Sequence, residues 1–319
     1  MGVHHMRSIL SFAARPLICA GALLSAMSLA QADCKSLLAD FDKAVAAKSL
    51  KDAKAAEAGI AVDLTCFSNA AQIRKRRIDF ELALVDDPAN PLQTDAEKEK
   101  ALVDAAQPVE SWRASAKLAD FRMVQRRFRD ATSLYGEAIR RALDKDITPL
   151  ALTDTQKSEL MKRASAAKTY ALDDSQGSKV VDPLPTIRDV DGSIGGVYAL
   201  RGIKPIPVPV PINFIFGTDK FTPAGEQMAK ELADVLLEQK PKEITLVGHT
   251  DPIGTAEANM ALSDRRVRAV ARYLGSQGVK LTVNIVAKGE SDPFDVSVLP
   301  VKPTQDQEYA LDRRVELVR

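Results

Sequence analysis

The sequence predicts an α+β chain in two unlike parts: an all-helical N-terminal half and a C-terminal half whose strands and helices alternate as βαβαβ–β. Three observations carry this. Residues 33–172 hold long stretches with apolar residues at helical spacing, separated by polar breaks. Residues 173–207 lose that period and gather glycines and alternating prolines, as a linker does. From residue 208 to 319, period-two apolar runs alternate with helical ones, which implies a mixed sheet covered by helices. With 319 residues, 45% hydrophobic and 27% charged, the composition is ordinary for globular proteins and the length suits two domains.

Residues 1–32 are expected to be a secretory signal. Arg7 lies in a short leading region, Leu17 to Ala30 is largely apolar, and Ala30-Gln31-Ala32 offers a cleavage site before Asp33. The apolar run is short for a membrane span, and Arg15-Pro16 cuts into any longer one. Neither Cys19 nor Cys34 follows the small residues that lipid attachment needs. Beyond the signal, no segment is apolar enough to span a membrane. The full chain has a formal charge of +1; loss of Arg7 and Arg15 with the signal leaves −1. Such a chain has no global electrostatic attraction to nucleic acid.

Cys19 leaves with the signal, so Cys34 and Cys66 remain, and an oxidising compartment favours their pairing. Lys35 to Ala47 and Ala53 to Leu64 have helical patterns broken by Ser49-Leu50-Lys51-Asp52. In an antiparallel pair the two cysteines sit at adjoining ends, so the disulfide closes a helical hairpin. Asn69 to Val85 is the third helix, and its run Arg74-Lys75-Arg76-Arg77 is expected to be a solvated face. Thr94 caps a charged helix that Pro108 stops. Between Ser111 and Leu143, the residues Leu118-Ala119, Ala131, Tyr135 and Ala138 have spacings that resemble a tetratricopeptide (TPR) repeat. Arg122 and Leu143 depart from that pattern. The resemblance implies a divergent TPR-like array, with Thr153 to Ala171 as a capping helix, that presents a protein-interaction platform to a partner. Trp112 and Phe121 are expected in the core rather than on a binding surface.

The linker glycines around Asp191 to Gly196 lack the spacing and flanking elements of a dinucleotide site. Pro205, Pro207, Pro209 and Pro211 remove donors from one side of an extended chain, which an edge strand tolerates. Val210, Ile212, Phe214 and Phe216 alternate as a first strand. Thr222-Pro223 opens a helix with Met228, Leu232, Val235 and Leu236 inward. Ile244 to His249 is the second strand, Ser263 to Leu274 belongs to the second helix, Leu281 to Ala287 is the third strand and Arg314 to Val318 the last.

The stretch from Leu246 to Arg266 carries the chemistry. A strand runs into a turn bracketed by Gly248 and Gly254, the turn holds Asp251, and the following helix holds Arg266. A fixed carboxylate facing a fixed guanidinium suits a zwitterion. The run Gly248-His249-Thr250-Asp251…Gly254…Asn259…Leu262-Ser263…Arg266-Val267 resembles the core motif of OmpA-like domains, the peptidoglycan-binding modules of Gram-negative envelopes. Gly289-Glu290-Ser291-Asp292-Pro293 resembles that family's Gly-Glu-Ser-x-Pro loop, and Asp312-Arg313-Arg314-Val315 its closing Asn-Arg-Arg-Val strand with Asp for Asn. The resemblance implies the fold of residues 208–319 and a ligand, the diaminopimelate of the peptidoglycan stem. Asp251 would take its ammonium and Arg266 a carboxylate. Thr250 and Asn259 would add hydrogen bonds, with Asp219 lining the pocket and Arg313 at its edge. His249 is expected to be a packed strand-end residue and Arg314 an outward one.

A hydrolase is the competing class. His249 is the one histidine after residue 32, and a Ser263–His249–Asp251 triad is conceivable on paper. Nothing in the sequence supplies its oxyanion hole, or ligands for a metal or cofactor. The expected protein is therefore non-enzymatic, periplasmic and associated with the wall and outer membrane. The alternative within binding proteins is the wall anchor of a stator or secretion machine with a retained N-terminal membrane segment.

Overall fold

A computed structural model describes residues 33–89, 92, 94–107, 111–176 and 208–318. The expected signal peptide, and the linker from residue 177 to 207 with Pro205 and Pro207, lie outside the described residues.

The first half is helical throughout, and its caps are legible. Asp33 caps α1 (Cys34–Ala46) by accepting the Ser36 N–H at 2.7 Å. Ser49 starts α2 (Leu50–Val62). After α3 (Ala70–Asp86), Thr94 and Glu97 form a capping box on α4 (Asp95–Ala106). Ser111 caps α5 (Trp112–Val124), followed by α6 (Phe128–Leu143) and α7 (Asp154–Gln176). Each helix packs on the next in sequence, so the half is an array built from nearest neighbours. Leu118, Ala119, Ala131, Tyr135 and Ala138 are all buried. The Tyr135 hydroxyl donates to Asp120 Oδ1 at 2.6 Å. Trp112 and Phe121 are half-buried against the core.

Cys34 and Cys66 are joined by a disulfide that ties the start of α1 to the turn after α2. Of the basic run only Arg77 is buried, where it meets Glu57 and holds the buried Glu81; Arg74 meets Glu57 at partial exposure, and the exposed Arg76 meets Asp42. Lys75 and Arg76 are its exposed members. Such a face has little net charge to offer a polyanion.

The second half is a four-stranded sheet in the order β1-β4-β2-β3. Its strands are β1 (Val208–Val210), β2 (Glu243–His249), β3 (Thr282–Gly289) and β4 (Val315–Val318). β2 pairs parallel with β3 and antiparallel with β4, and β1 and β3 are the edges. Helices α8 (Pro223–Gln239) and α9 (Ala256–Ser276) pack against it with Met228, Leu232, Leu236, Val267, Val270 and Leu274 buried. Pro209 lies in an edge strand, where its missing donor is harmless.

Two sequence expectations need correction. The first strand was expected to alternate as far as Phe216, but it stops at Val210. Pro211 has no N–H, and Ile212 N donates back to Val210 O at 2.7 Å, which turns the chain. Phe214 then makes only an isolated bridge to Phe221, and Phe216 is exposed. The reading βαβαβ–β also lacks a helix, α10 (Gln305–Asp312), opened by a capping box of Thr304 and Gln307.

The two halves share their cores. The boundary placed at residue 172 falls inside α7, and Leu172 is buried with the sheet. Phe294 and Leu311 of the second half are buried with Met123, Phe128, Tyr135 and Met161 of the first. Lys168 on α7 is buried and reaches Glu231 on α8 at 3.1 Å.

Gly225 tests how tightly α8 seats on the sheet's lead-in. A Cβ there would stand 1.9 Å from Asn213 O and 2.8 Å from Asn213 C, both backbone. Gly225→Ala should therefore cost about 1–3 kcal/mol as overpacking. Chemical denaturation checks this; an unchanged midpoint would mean that the helix start is free to shift.

Candidate functional site

The site is built where β2 crosses α9. A Cβ on Gly248 would lie 2.3 Å from Val267 Cγ2 and 2.7 Å from Ser263 O, so only glycine lets strand and helix approach this closely. The β2–β3 register shifts between Gly248 and His249, which re-aims the residues that follow. Ser263 Oγ locks the crossing by accepting Gly289 N at 3.0 Å and donating to Met260 O at 2.8 Å.

Thr250 and Asp251 emerge from this crossing, both buried. Thr250 N donates to Gly289 O at 2.8 Å, while its Oγ1 is buried with no hydrogen-bond partner among the described residues. Asp251 Oδ1 accepts Ile253 N at 3.1 Å and closes the turn that Gly254, at φ +117°, continues. Asp251 Oδ2 is held by Arg313 Nη1 at 2.8 Å. Asn259, one turn into α9, is buried and donates to Glu290.

Arg266 is only 2% exposed and makes no ion pair among the described residues. Its Nε donates to Thr218 O at 3.0 Å, and its guanidinium lies 5.1 Å over the Phe214 ring. Burial pulls its pKa down to about 10, against a weaker upward pull from the Asp251 charge. The plain salt bridge that could have joined Asp251 to Arg266 is not formed. The acid is taken by Arg313, and the base has no ion-pair partner among the described residues. That arrangement is expensive for stability alone, because a buried charge is ordinarily paired.

The remaining expected residues divide. Arg313 sits in the site through Asp251. Asp219 lies in the loop that supplies Thr218 O, but its carboxylate turns to Arg272 at 3.5 Å. His249 is buried as expected, with Nδ1 3.2 Å from Asp292 O. Arg314 was expected to face outward, yet it is buried. It donates to Glu316 Oε1 at 2.8 Å and to Asp292 O at 3.1 Å and stacks over Phe294. All of these partners belong to the C-terminal half, on β4 and on the segment after β3. Asp312, which replaces the family's Asn, accepts Phe294 N at 2.7 Å. Burial raises its pKa against the pull of that amide. Sequence reasoning missed Glu290 on Asn259 and Thr218 O on Arg266; the first was within reach, because Glu290 belongs to a recognised loop.

The paper triad does not assemble. Ser263 Oγ is committed to Gly289 and Met260, and His249 faces Asp292 O and Glu316 rather than Ser263 or Asp251.

Glu316 makes the sheet acid-sensitive. Burial pushes its carboxyl up, but His249 and Arg314 together outweigh that and hold it down at about 2 against an ordinary 4.5. Its contribution is complete above pH 4.5 and is lost as pH falls through about 2. Glu316→Gln should lower the melting temperature at neutral pH and flatten its decline over that acid window. Parallel acid-melt curves for variant and parent would refute this.

Among the described residues, the sheet–helix crossing thus buries a guanidinium without an ion-pair partner, a carboxylate held by Arg313 and a hydroxyl without a hydrogen-bond partner. The comparisons identify the family. The OmpA family model matches residues 213–305. The peptidoglycan-associated lipoprotein of Pseudomonas aeruginosa is 36% identical over 130 residues, which cover 40% of this chain and 69% of that relative. Outer membrane protein A of Bordetella avium is 34% identical over 108 residues, 31% of this chain and 56% of that one. The chain belongs to the OmpA family. Among solved structures, the peptidoglycan-associated lipoprotein from Burkholderia pseudomallei is similar at 27% identity and TM-score 0.29, covering 34% of this chain and 86% of that one. The family model lies within the C-terminal half, and the helical array lies outside it.

Proposed function

We propose that the protein is a non-enzymatic component of a Gram-negative envelope. Its C-terminal half binds peptidoglycan non-covalently through the diaminopimelate of the peptide stem. The observation that carries this reading is the buried Arg266, unpaired among the described residues, with Asp251 nearby and tied to Arg313. A diaminopimelate side-chain end brings one carboxylate and one ammonium. The carboxylate meets Arg266 as a forked pair, the ammonium meets Asp251, and Thr250 Oγ1 gains the partner it lacks. Arg313 orients Asp251, Asn259 borders the group, and Asp219 lies on the loop behind Arg266. Relatives named peptidoglycan-associated lipoproteins and outer membrane protein A support the ligand class and a location at the wall and outer membrane. Within the described residues no helix is long and apolar enough to cross a membrane. The helical array is proposed as the platform for a protein partner, since stacked helical hairpins present extended surfaces.

The test is co-sedimentation of the full chain with purified sacculi, with soluble diaminopimelate-containing muropeptide as competitor. The expected result is pelleting that the muropeptide reverses. Protein that stays in the supernatant at every load would overturn the proposal.

A further inference from the structure

We propose that the helical half is a working part of the ligand site, with Arg163 on α7 as a positioning residue for the pocket. The inference rests on the wall-binding reading above, and it concerns the segment between β3 and α10. That segment, Glu290 to Pro303, is irregular apart from a short turn at Val296–Val298. Its near end completes the pocket. Gly289 O accepts Thr250 N, Glu290 accepts from Asn259, and Asp292 O receives Arg314 Nη2 and faces His249 Nδ1.

Its far end is held by the other half of the molecule. Arg163 Nε donates to Val298 O at 2.7 Å, and Lys162 Nζ reaches Asp295 Oδ2 at 3.2 Å. Phe294 is buried in the helical core, and Val296, Leu299 and Val301 pack against it. Arg163 is itself pre-aimed, because its Nη1 bonds Asp120 Oδ2 at 3.2 Å while Asp120 Oδ1 takes the Tyr135 hydroxyl. Three helices of the array thus fix one guanidinium, and that guanidinium fixes a main-chain oxygen of the pocket segment.

A second tether returns to the site. Asp312 Oδ1 accepts Phe294 N, and the next residue, Arg313, holds Asp251. An irregular segment costs backbone entropy to hold still, and its own few hydrogen bonds at the pocket end do little to offset that cost. Docking on α7 supplies the constraint from outside the C-terminal half. A partner that moves α7 therefore changes the pocket, and an occupied pocket in turn favours the docked arrangement of α7.

The experiment uses the full chain and its Arg163→Ala, Arg163→Lys and Lys157→Ala variants. Lys157 lies on the same helix and pairs with Asp154 of that helix, so it serves as the control. Two readouts are taken: amide hydrogen exchange over residues 250–259 and 290–299, and titration with a diaminopimelate muropeptide. Arg163→Ala should speed exchange in both stretches and weaken the muropeptide about two- to thirtyfold. Arg163→Lys, which keeps a donor for Val298 O, should recover much of the loss, and Lys157→Ala should match the parent. Faster exchange confined to residues 294–299, or unchanged muropeptide affinity in Arg163→Ala, would overturn the coupling. If the parent itself binds no muropeptide, the wall reading fails, and exchange at residues 250–259 alone decides whether α7 positions the pocket.

Discussion

Arg266→Met should abolish most muropeptide binding while melting at or above the parent's temperature. Loss of the forked pair to a ligand carboxylate removes a charge-assisted hydrogen bond worth about 1.5–3 kcal/mol, or roughly ten- to a hundredfold in affinity. Stability moves the other way. In the unliganded protein the guanidinium is 2% exposed and pays desolvation without an ion-pair partner among the described residues. Methionine fills a similar volume with no charge to bury. Loss of the bond to Thr218 O and of the stacking on Phe214 offsets part of that gain. Arg266→Lys should also bind weakly, because an ammonium cannot fork onto a carboxylate. Asp251→Ala should weaken binding by a similar factor and release Arg313. Calorimetric titration beside a thermal melt of each variant measures both effects. A variant that binds like the parent places the ligand elsewhere, and an Arg266→Met that melts far below the parent makes the residue a structural one.

The double variant Cys34→Ser, Cys66→Ser should lose about 3–4 kcal/mol of stability in the chain-entropy account, given a sequence separation of 32 residues. That is large beside a typical total of about 5–15 kcal/mol. The loss should fall on the first hairpin. The ion pairs from α1 and its following turn to α3, Arg76–Asp42 and Lys48–Asp87, have exposed lysine and arginine sides and contribute little, although Arg76 also lies 5.1 Å over the Phe41 ring. Hydrogen exchange should rise across α1 and α2 and change little at β2 and α9. Equal protection of the first hairpin in parent and double variant would mean that its buried residues, Phe41 and Ile60 among them, hold it unaided.

Much of the local structure was written in neighbouring residues. Helix starts at Asp33, Ser49, Thr94, Ser111 and Thr222 follow from side chains that accept amide protons three residues on. Apolar periodicity located the helices of the array, because each buries a face against its neighbour. The limits of β1 were harder, since alternation to Phe216 looks the same whether or not a partner strand exists, and after Pro211 none does. α10 was overlooked although Thr304 and Gln307 signal it, because it is short and weakly apolar. The burial of Arg314 could not be inferred from its strand, since two of its partners, Asp292 O and Phe294, come from the irregular segment after β3.

By itself the sequence determined the α+β class, the cysteine pair and the placing of Thr250, Asp251, Asn259 and Arg266 on one strand end and one helix. Those depend on spacing along the chain, which period and capping chemistry convert directly into geometry. Only the tertiary structure decided which charges meet. It gave Asp251 to Arg313 sixty-two residues away, left Arg266 buried without an ion pair among the described residues, and set the far end of the pocket segment on Arg163, one hundred and thirty-five residues from Val298. The reason is physical: an ion pair or a carbonyl contact forms between whatever groups the packed cores bring within a few ångströms, and that proximity is a property of the whole fold.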